Sequence, residues 1–181
     1  MILGLDISTS CTGWCLIDSS GKLVKMGYVQ LQKEKSQFTK AKRVRQALSS
    51  LNINYDIERI CIEENLQAFR PGLSSARTLL TLARFNGVVS YLAQEEFCIS
   101  PEFINVNSAR KSLGIKIKRS KDGGQPTKNQ VHAWVSSQLS EDYQWPMKKL
   151  KSGPRKGLEI YDPVCFDMSD AYVIARAGQI I

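Results

Sequence analysis

The sequence predicts an α/β fold on a mixed β-sheet, three antiparallel strands followed by parallel ones, with helices flanking it. Three observations carry that prediction. Residues 2–32 hold three strand-like runs joined by short connections, the pattern of an antiparallel meander. Strand-like and helix-like stretches then alternate, which is how parallel crossovers read. The first run, Ile2-Leu3-Gly4-Leu5, is apolar until Asp6, as in a strand buried on both faces.

The elements follow in order. After the first strand, residues 14–18 (WCLID) are the expected second, Ser19-Ser20-Gly21 a tight turn, and 23–32 the third. Residues 39–51 are expected to be helical, because Ala41, Val44, Ala47, Leu48 and Leu51 recur at helical spacing with basic residues opposite. Residues 57–63 form the fourth strand, ending in Glu63-Glu64-Asn65, and a loop with Phe69, Arg70, Pro71 and Gly72 follows. The longest predicted helix spans 74–94, with Ser74 or Ser75 as N-cap. Its apolar residues spread beyond one stripe, so it is either central or packed on a second subunit. Ala83 and Gly87, four apart, allow close approach of such a partner.

Residues 101–106 read as a fifth strand, and Asn107 or Ser108 as the cap of a short helix ending near Gly114. Residues 115–125 are basic and contain glycine, an expected exposed loop. Residues 127–139 form a helix with Val131, Trp134, Val135 and Leu139 inward. His132, beside that face, has no companion histidine and reads as a structural residue at the surface or half-buried. Residues 140–162 are expected to be a long, partly mobile loop, and the last helix opens at Asp167-Met168-Ser169-Asp170 and runs to Gly178. No internal repeat or low-complexity tract interrupts the chain.

A length of 181 residues suits one domain over 1–181, with basic loops at about 115–126 and 140–162. Hydrophobic residues make up 43% and charged residues 23%, as in a soluble globular protein. No apolar run approaches the length of a membrane span, and no basic region precedes an apolar one at the N-terminus. A cytoplasmic location, in a bacterial cell or a phage-infected host, is the expectation. Five cysteines, an odd number partly inside apolar runs, fit reduced thiols better than a disulfide framework. Cys11 and Cys15 lack the second pair that a zinc site needs.

The net charge of +8 is clustered. Residues 33–45 hold six basic side chains against Glu34, residues 110–128 seven against Asp122, and residues 148–156 five with no acid. Any one cluster would serve as a solubilising surface. Three together indicate a polyanion partner, most simply nucleic acid.

Four carboxylates gain meaning jointly. Asp6 ends the first strand, Glu63 ends the fourth, and Asp167 and Asp170 project from one face of the last helix. Each has an ordinary alternative, as a turn residue or a helix-opening acid. Brought together they would repel one another unless divalent cations bound between them. Oxygen-only ligands favour Mg²⁺ or Mn²⁺ over zinc. Two such ions roughly 4 Å apart stabilise both the attacking and the leaving oxygen of a phosphodiester displacement.

In these motifs the sequence resembles the RuvC-type Holliday junction resolvases of the RNase H-like superfamily. ILGLDISTSCTGWCLI is similar to the family's first-strand motif, ICIEEN to its second acidic strand, and DMSDAYVIARA to its terminal acidic helix. SSARTLLTLARFNGVV, INVNSARKSLG and GGQPTKNQVHAWV resemble the segments between, in the family's order. The resemblance implies an RNase H-like fold and resolution of four-way DNA junctions by paired nicks. It makes Asp6, Glu63, Asp167 and Asp170 the catalytic acids, holding two Mg²⁺ or Mn²⁺ ions. It further implies that Lys128 contacts DNA near them and that a homodimer forms through the 74–94 helix. Lys116, Lys118 and Arg119 in one basic loop, Lys148, Lys149 and Lys151 in the other, and Phe69 and Arg70 are the remaining candidate DNA contacts.

The chain also departs from the family pattern. Ile7-Ser8 stands where bacterial members have Pro-Gly, and Leu66 replaces a base-stacking aromatic, with Phe69 the candidate substitute. These differences suggest a divergent branch, such as a phage-encoded one, with its own junction and sequence selectivity. A less selective branched-DNA nuclease or an RNase H of the same fold is the alternative. The first strand also resembles the phosphate-binding strand of actin-like ATPases, which need about twice this length and want glycine where Ser8 stands.

Overall fold

Strand β1 (Ile2–Ile7) is the middle strand of the main sheet, and its pairing explains its uninterrupted apolar sequence. The structure, a computed structural model, describes residues 1–64 and 76–181. On one side β1 pairs antiparallel with β2 (Cys11–Ile17), which pairs antiparallel with β3 (Leu23–Gln30). On the other it pairs parallel with β4 (Arg59–Glu63), which pairs parallel with β5 (Glu102–Ile104). The sheet order is β3-β2-β1-β4-β5.

Alternation sends successive side chains to opposite faces. Leu3, Leu5, Ile7, Leu16, Ile60 and Ile62 pack with Val44 and Leu48 of α1 (Gln37–Asn54) and with Phe85 and Val89 of α2 (Ala76–Phe97). Cys11, Cys15, Ile17, Cys61 and Ile104 pack on the other face with α5 (Val164–Ile180), backed by Val131 and Val135 of α4 (Thr127–Gln138). The short α3 (Val106–Ser112) leans on α5 through the fully buried Ala109.

The predicted fold class and strand order agree with this architecture. Several local expectations differ. Strand β1 runs on through Asp6 and Ile7, and β2 begins at Cys11, because the antiparallel ladder continues through Asp6↔Gly13 and Ile7↔Thr12. Asn105, not Asn107 or Ser108, caps α3, its side chain accepting from both Asn107 N and Ser108 N. The stretch expected as an exposed loop after Gly114 buries Ile115 and tucks Ile117 against the core. Residues 140–162 contain a two-stranded hairpin, β6 (Met147–Lys149) and β7 (Glu159–Tyr161). Helix α5 opens at Val164, whose N–H donates to Asp162 at 3.1 Å, so Asp167 lies inside the helix instead of capping it.

His132 is buried, not at the surface. Its Nδ1 lies 3.0 Å from Ser169 Oγ, and its ring meets Trp145, Tyr161 and Phe166 edge-on. Since Ser169 Oγ already donates to Cys165 O at 2.7 Å, it accepts from His132 Nδ1–H. The histidine thus pins the base of the hairpin to α5. All five cysteines are free thiols, four buried and Cys98 exposed. Ser74, Ser75 and Leu66 lie outside the described residues. Among the described residues no helix is long and apolar enough to cross a membrane.

A four-carboxylate candidate active site

The site is built by register. Leu5 of β1 is paired with Ile62 of β4, so the next residue on each strand, Asp6 and Glu63, projects from the same face. That face is the one α5 covers. Neighbouring strands are about 4.8 Å apart, which brings the two carboxylates side by side at the carboxyl ends of two parallel strands. Gly13, the partner of Asp6 on β2, lets α5 descend onto the sheet at Asp167. Three residues on, Asp170 lies one helical turn away on the same side.

The electrostatics record the convergence. Burial pushes the Asp6 carboxyl well above its ordinary range, and Glu63, Asp170 and Asp167 push it further. Glu63 is raised to about 7, chiefly by burial and then by Asp170. Asp167 is raised to about 6 by burial, while a hydrogen bond from the Cys11 thiol holds it down. Burial also raises Asp170, against the pull of Arg110. Among the described residues, however, no three His, Cys, Asp or Glu side chains are grouped closely enough to hold one metal ion. The four acids share one field without forming a closed ligand set.

Cations flank the acids on two sides. Arg110 of α3 lies 3.4 Å from Asp170, with about a fifth of each side chain exposed. Its charge also lowers Asp6 and Glu63. On the other side, Lys128 lowers Asp167 and places Nζ 4.7 Å from the centre of the Phe166 ring. Lys128, Lys148 and Asp167 line a common cavity of about 290 Å³ with Cys11, Gln30 and Phe166.

The candidate contacts therefore separate into groups. Lys128 and Lys148 stand beside the acids, and Lys116 lines a second cavity with Arg110. Lys118, Arg119, Lys149 and Lys151 are exposed and touch neither cavity. Phe69 and Arg70 lie outside the described residues. Sequence reasoning missed Arg110, which it counted only as one charge in a basic run. The signal was its place next to an alanine on a short helix, legible only once Ala109 is known to face α5. It also missed Cys11, treated as a buried thiol with no role toward Asp167.

The electrostatics fit a divalent-cation site. The donors are hard oxygens, and the arginine and lysine at the rim do not cancel four half-buried carboxylates. Asp6, Glu63, Asp167 and Asp170 are the oxygen donors nearest such a site, at separations wider than the ligand set of a single ion.

Comparison with known proteins adds the following. No family model matches the chain. It is 28% identical over 142 residues to a crossover junction endodeoxyribonuclease RuvC from Aliarcobacter butzleri (strain RM4018), covering 77% of this chain and 83% of that protein. In structure it resembles Thermus thermophilus RuvC, at TM-score 0.60 and 16% identity, over 97% of this chain and 91% of that one. The T. thermophilus RuvC solved with a Holliday junction substrate gives TM-score 0.59 at 13% identity, over 97% and 90% of the two chains. The yeast mitochondrial Holliday junction resolvase Ydc2 gives 0.54 at 16%, over 98% and 77%. At these identities the structural likenesses speak for the fold.

Proposed function

Taking the chain as a divergent RuvC-type protein, we propose that it is a structure-selective endonuclease that resolves four-way DNA junctions by paired nicks. The observation that supports this reading is that Asp6, Glu63, Asp167 and Asp170 share one electrostatic field at the carboxyl ends of β1 and β4, each drawn from a motif that the family resemblance marks. In this reading the four carboxylates hold Mg²⁺ or Mn²⁺, two ions per site. Such cations, when bound, supply Lewis-acid activation of the phosphodiester and of the attacking water.

The chain's own residues do the rest. The carboxylates sit on strand ends and a buried helix, so their spacing is fixed by the sheet and not by a loop. Cys11 orients Asp167 by donating to it. Lys128 and Lys148 present positive charge beside Asp167, where a phosphate backbone approaching the acids would pass. The exposed lysines of the β6–β7 hairpin extend that field and add salt-dependent affinity.

Paired nicking requires two active sites in one assembly, and α2 supports a homodimer. Leu80 and Tyr91 are 68% and 60% exposed, Ala83 and Gly87 are exposed between them, and a Cβ at Gly87 would meet nothing within 4 Å. The four residues follow helical spacing, a stripe that a second copy could cover.

The test is a substrate panel in Mg²⁺: four-way junction, flap, fork, RNA–DNA hybrid and linear duplex. Symmetric nicking of the junction, abolished by Asp6→Asn with junction affinity retained, is expected. Cleavage surviving in that variant rejects the site, and preference for the hybrid makes the protein an RNase H.

A further inference from the structure

At the end of the sheet opposite the acids, the chain forms a cavity of about 430 Å³ between β3, the C-terminal end of α4 and the C-terminal half of α5. Register sets its place. Leu23 of β3 is paired with Ile17 of β2, and Ile17 with Ile2, at the end of β1 away from Asp6. Arg176, which lines the cavity, stands nine residues beyond Asp167 on α5, about 14 Å along the helix axis.

Its lining divides by chemistry. Leu23, Met26, Leu139 and Tyr143 make an apolar side that continues the core. Arg176, Lys22 and Lys25 supply positive charge, and no acid is among the lining residues. The acids near it in sequence lie outside. Asp18 is taken up by the β2–β3 turn, accepting from Ser20 N and Lys22 N at 2.9 Å each, while Glu141 and Asp142 are exposed. Among the described residues no carboxylate pairs with Arg176.

Arg176 is held in place with one donor left over. Its Nη1 donates to Gly21 O at 2.5 Å. Gly21, at φ 83°, makes that approach possible, since a Cβ there would lie 2.8 Å from the same nitrogen. Arg176 Nε is buried and has no hydrogen-bond partner among the described residues, and leaving a donor unpaired in a buried place costs free energy. A carboxylate entering the cavity would supply the acceptor, in the planar geometry that a guanidinium matches. Beyond α4, Tyr143 N–H donates to Ser140 O at 3.0 Å, and the Tyr143 ring meets Trp145 edge-on. The charged and the apolar sides are thus both set before any ligand arrives, as a recognition site requires.

We propose that this cavity captures the carboxyl end of an acidic peptide segment from a partner protein. The terminal carboxylate sits on Arg176, the last side chain lies against Leu139 and Tyr143, and acids upstream run past the exposed Lys22 and Lys25. A peptide end is the occupant that matches all three parts. An inorganic anion would leave the apolar side uncovered, and an uncharged apolar group would leave Arg176 Nε unpaired. A lone carboxylate would balance only one of three positive charges. Because the cavity lies at the far end of the sheet, a partner docked in it leaves the four acids open, and the proposal stands apart from the nuclease reading.

The experiment measures peptide binding to the full chain by fluorescence anisotropy. The probe is a labelled hexapeptide of four aspartates followed by two leucines, made with a free carboxyl end and with an amidated one. The free-acid form should bind, and amidation should weaken it about tenfold. Arg176→Gln should erase the difference between the two forms. Lys22→Gln/Lys25→Gln, two exposed side chains whose loss leaves the core intact, should weaken binding and flatten its salt dependence. Val24→Glu, at a cavity position that is 40% exposed, adds a like charge and should abolish binding with the melting temperature unchanged. Lys148→Gln/Lys149→Gln/Lys151→Gln should bind the peptide as the wild type does. Equal binding of the two forms, or wild-type binding by Val24→Glu, overturns the site. Displacement by an equal concentration of inorganic phosphate, or by a four-way junction in Ca²⁺, assigns the cavity to a small anion or to DNA and overturns the peptide. Failure of the nuclease reading appears separately, as a wild type that nicks no junction in Mg²⁺.

Discussion

Gly13 and Asp167 meet backbone to backbone: a Cβ added at Gly13 would lie 2.1 Å from the Asp167 carbonyl oxygen. Gly13 is the register partner of Asp6, so the approach that seats α5 on the sheet also sets the spacing of two site acids. Gly13→Ala must push the helix away, since the obstructing atoms are main chain. A loss of about 1–3 kcal/mol is expected, with nicking reduced far more than junction binding. Chemical denaturation alongside both assays checks this; a variant with wild-type stability and rate would contradict the close approach.

The acids make stability fall as pH rises when no cation is bound. Asp167 at about 6 and Glu63 at about 7 are both raised, chiefly by burial, above their ordinary values of 3.8 and 4.5. Between those limits the folded state binds more protons than the unfolded one, and each group's contribution declines as pH climbs through its folded pKa. In chelator, the melting temperature should therefore drop between about pH 5 and pH 8. Added Mg²⁺ should restore it at pH 8 and do little at pH 5. Asp6→Asn should raise stability in chelator at alkaline pH by about 1–3 kcal/mol, because it removes a carboxyl whose ionisation is opposed by burial and by three neighbouring acids. A flat pH profile would show that burial does not raise these carboxyls.

His132 works in the opposite direction. Burial lowers its pKa, so the neutral ring is the form that fits, and its contribution is complete above the unfolded value of about 6.5 and is lost as pH falls below it. His132→Ala also leaves a hole among Trp145, Tyr161 and Phe166, for a loss of about 2–4 kcal/mol. Limited proteolysis should then cut the β6–β7 hairpin before the rest of the chain. Unchanged protection would mean that the histidine does not hold the hairpin.

Gly87→Arg tests the exposed stripe on α2. In a monomer a Cβ at this exposed position meets nothing within 4 Å, and the substitution should leave the melting temperature nearly unchanged. In a dimer joined there it should shift the sedimentation coefficient to that of a monomer and replace paired nicks with single ones. A dimer that persists would move the interface elsewhere.

Lys148, Lys149 and Lys151 differ in place, the first lining the cavity beside Asp167 and the other two exposed on the hairpin. Replacing all three with Gln should lower junction affinity. It should also reduce the slope of log affinity against log salt by up to about 0.9 for each phosphate that a lysine no longer neutralises. An unchanged slope would make the hairpin ordinary surface.

How much was legible in the sequence depends on the range of the interaction involved. The strand order and the buried character of β1 followed from an apolar run and short connections, which are local. The charge of the surface followed from counting. Residues 115–125 are the expected loop, but the inward side chains Ile115 and Ile117 were not foreseen, nor Trp145, Ile160 and the hairpin within 140–162, because basic residues and glycines mask them. His132 was misplaced for a similar reason, as its partners come from the hairpin and from α5, far along the chain. Arg110 gave no sign of itself among seven basic residues.

By itself the sequence determined which residues carry chemistry and on which kind of element each stands, because periodicity and turn chemistry act over a few neighbours. Only the tertiary structure decided that Asp6 and Glu63 share a face, that α5 descends at Gly13, and that Arg110 and not another basic residue meets Asp170. Those outcomes are set by strand register and helix approach between segments far apart in the chain, Gly13 and Asp167 among them. A one-residue slip in that register would have turned Asp6 to the opposite face, with every local feature of the sequence unaltered.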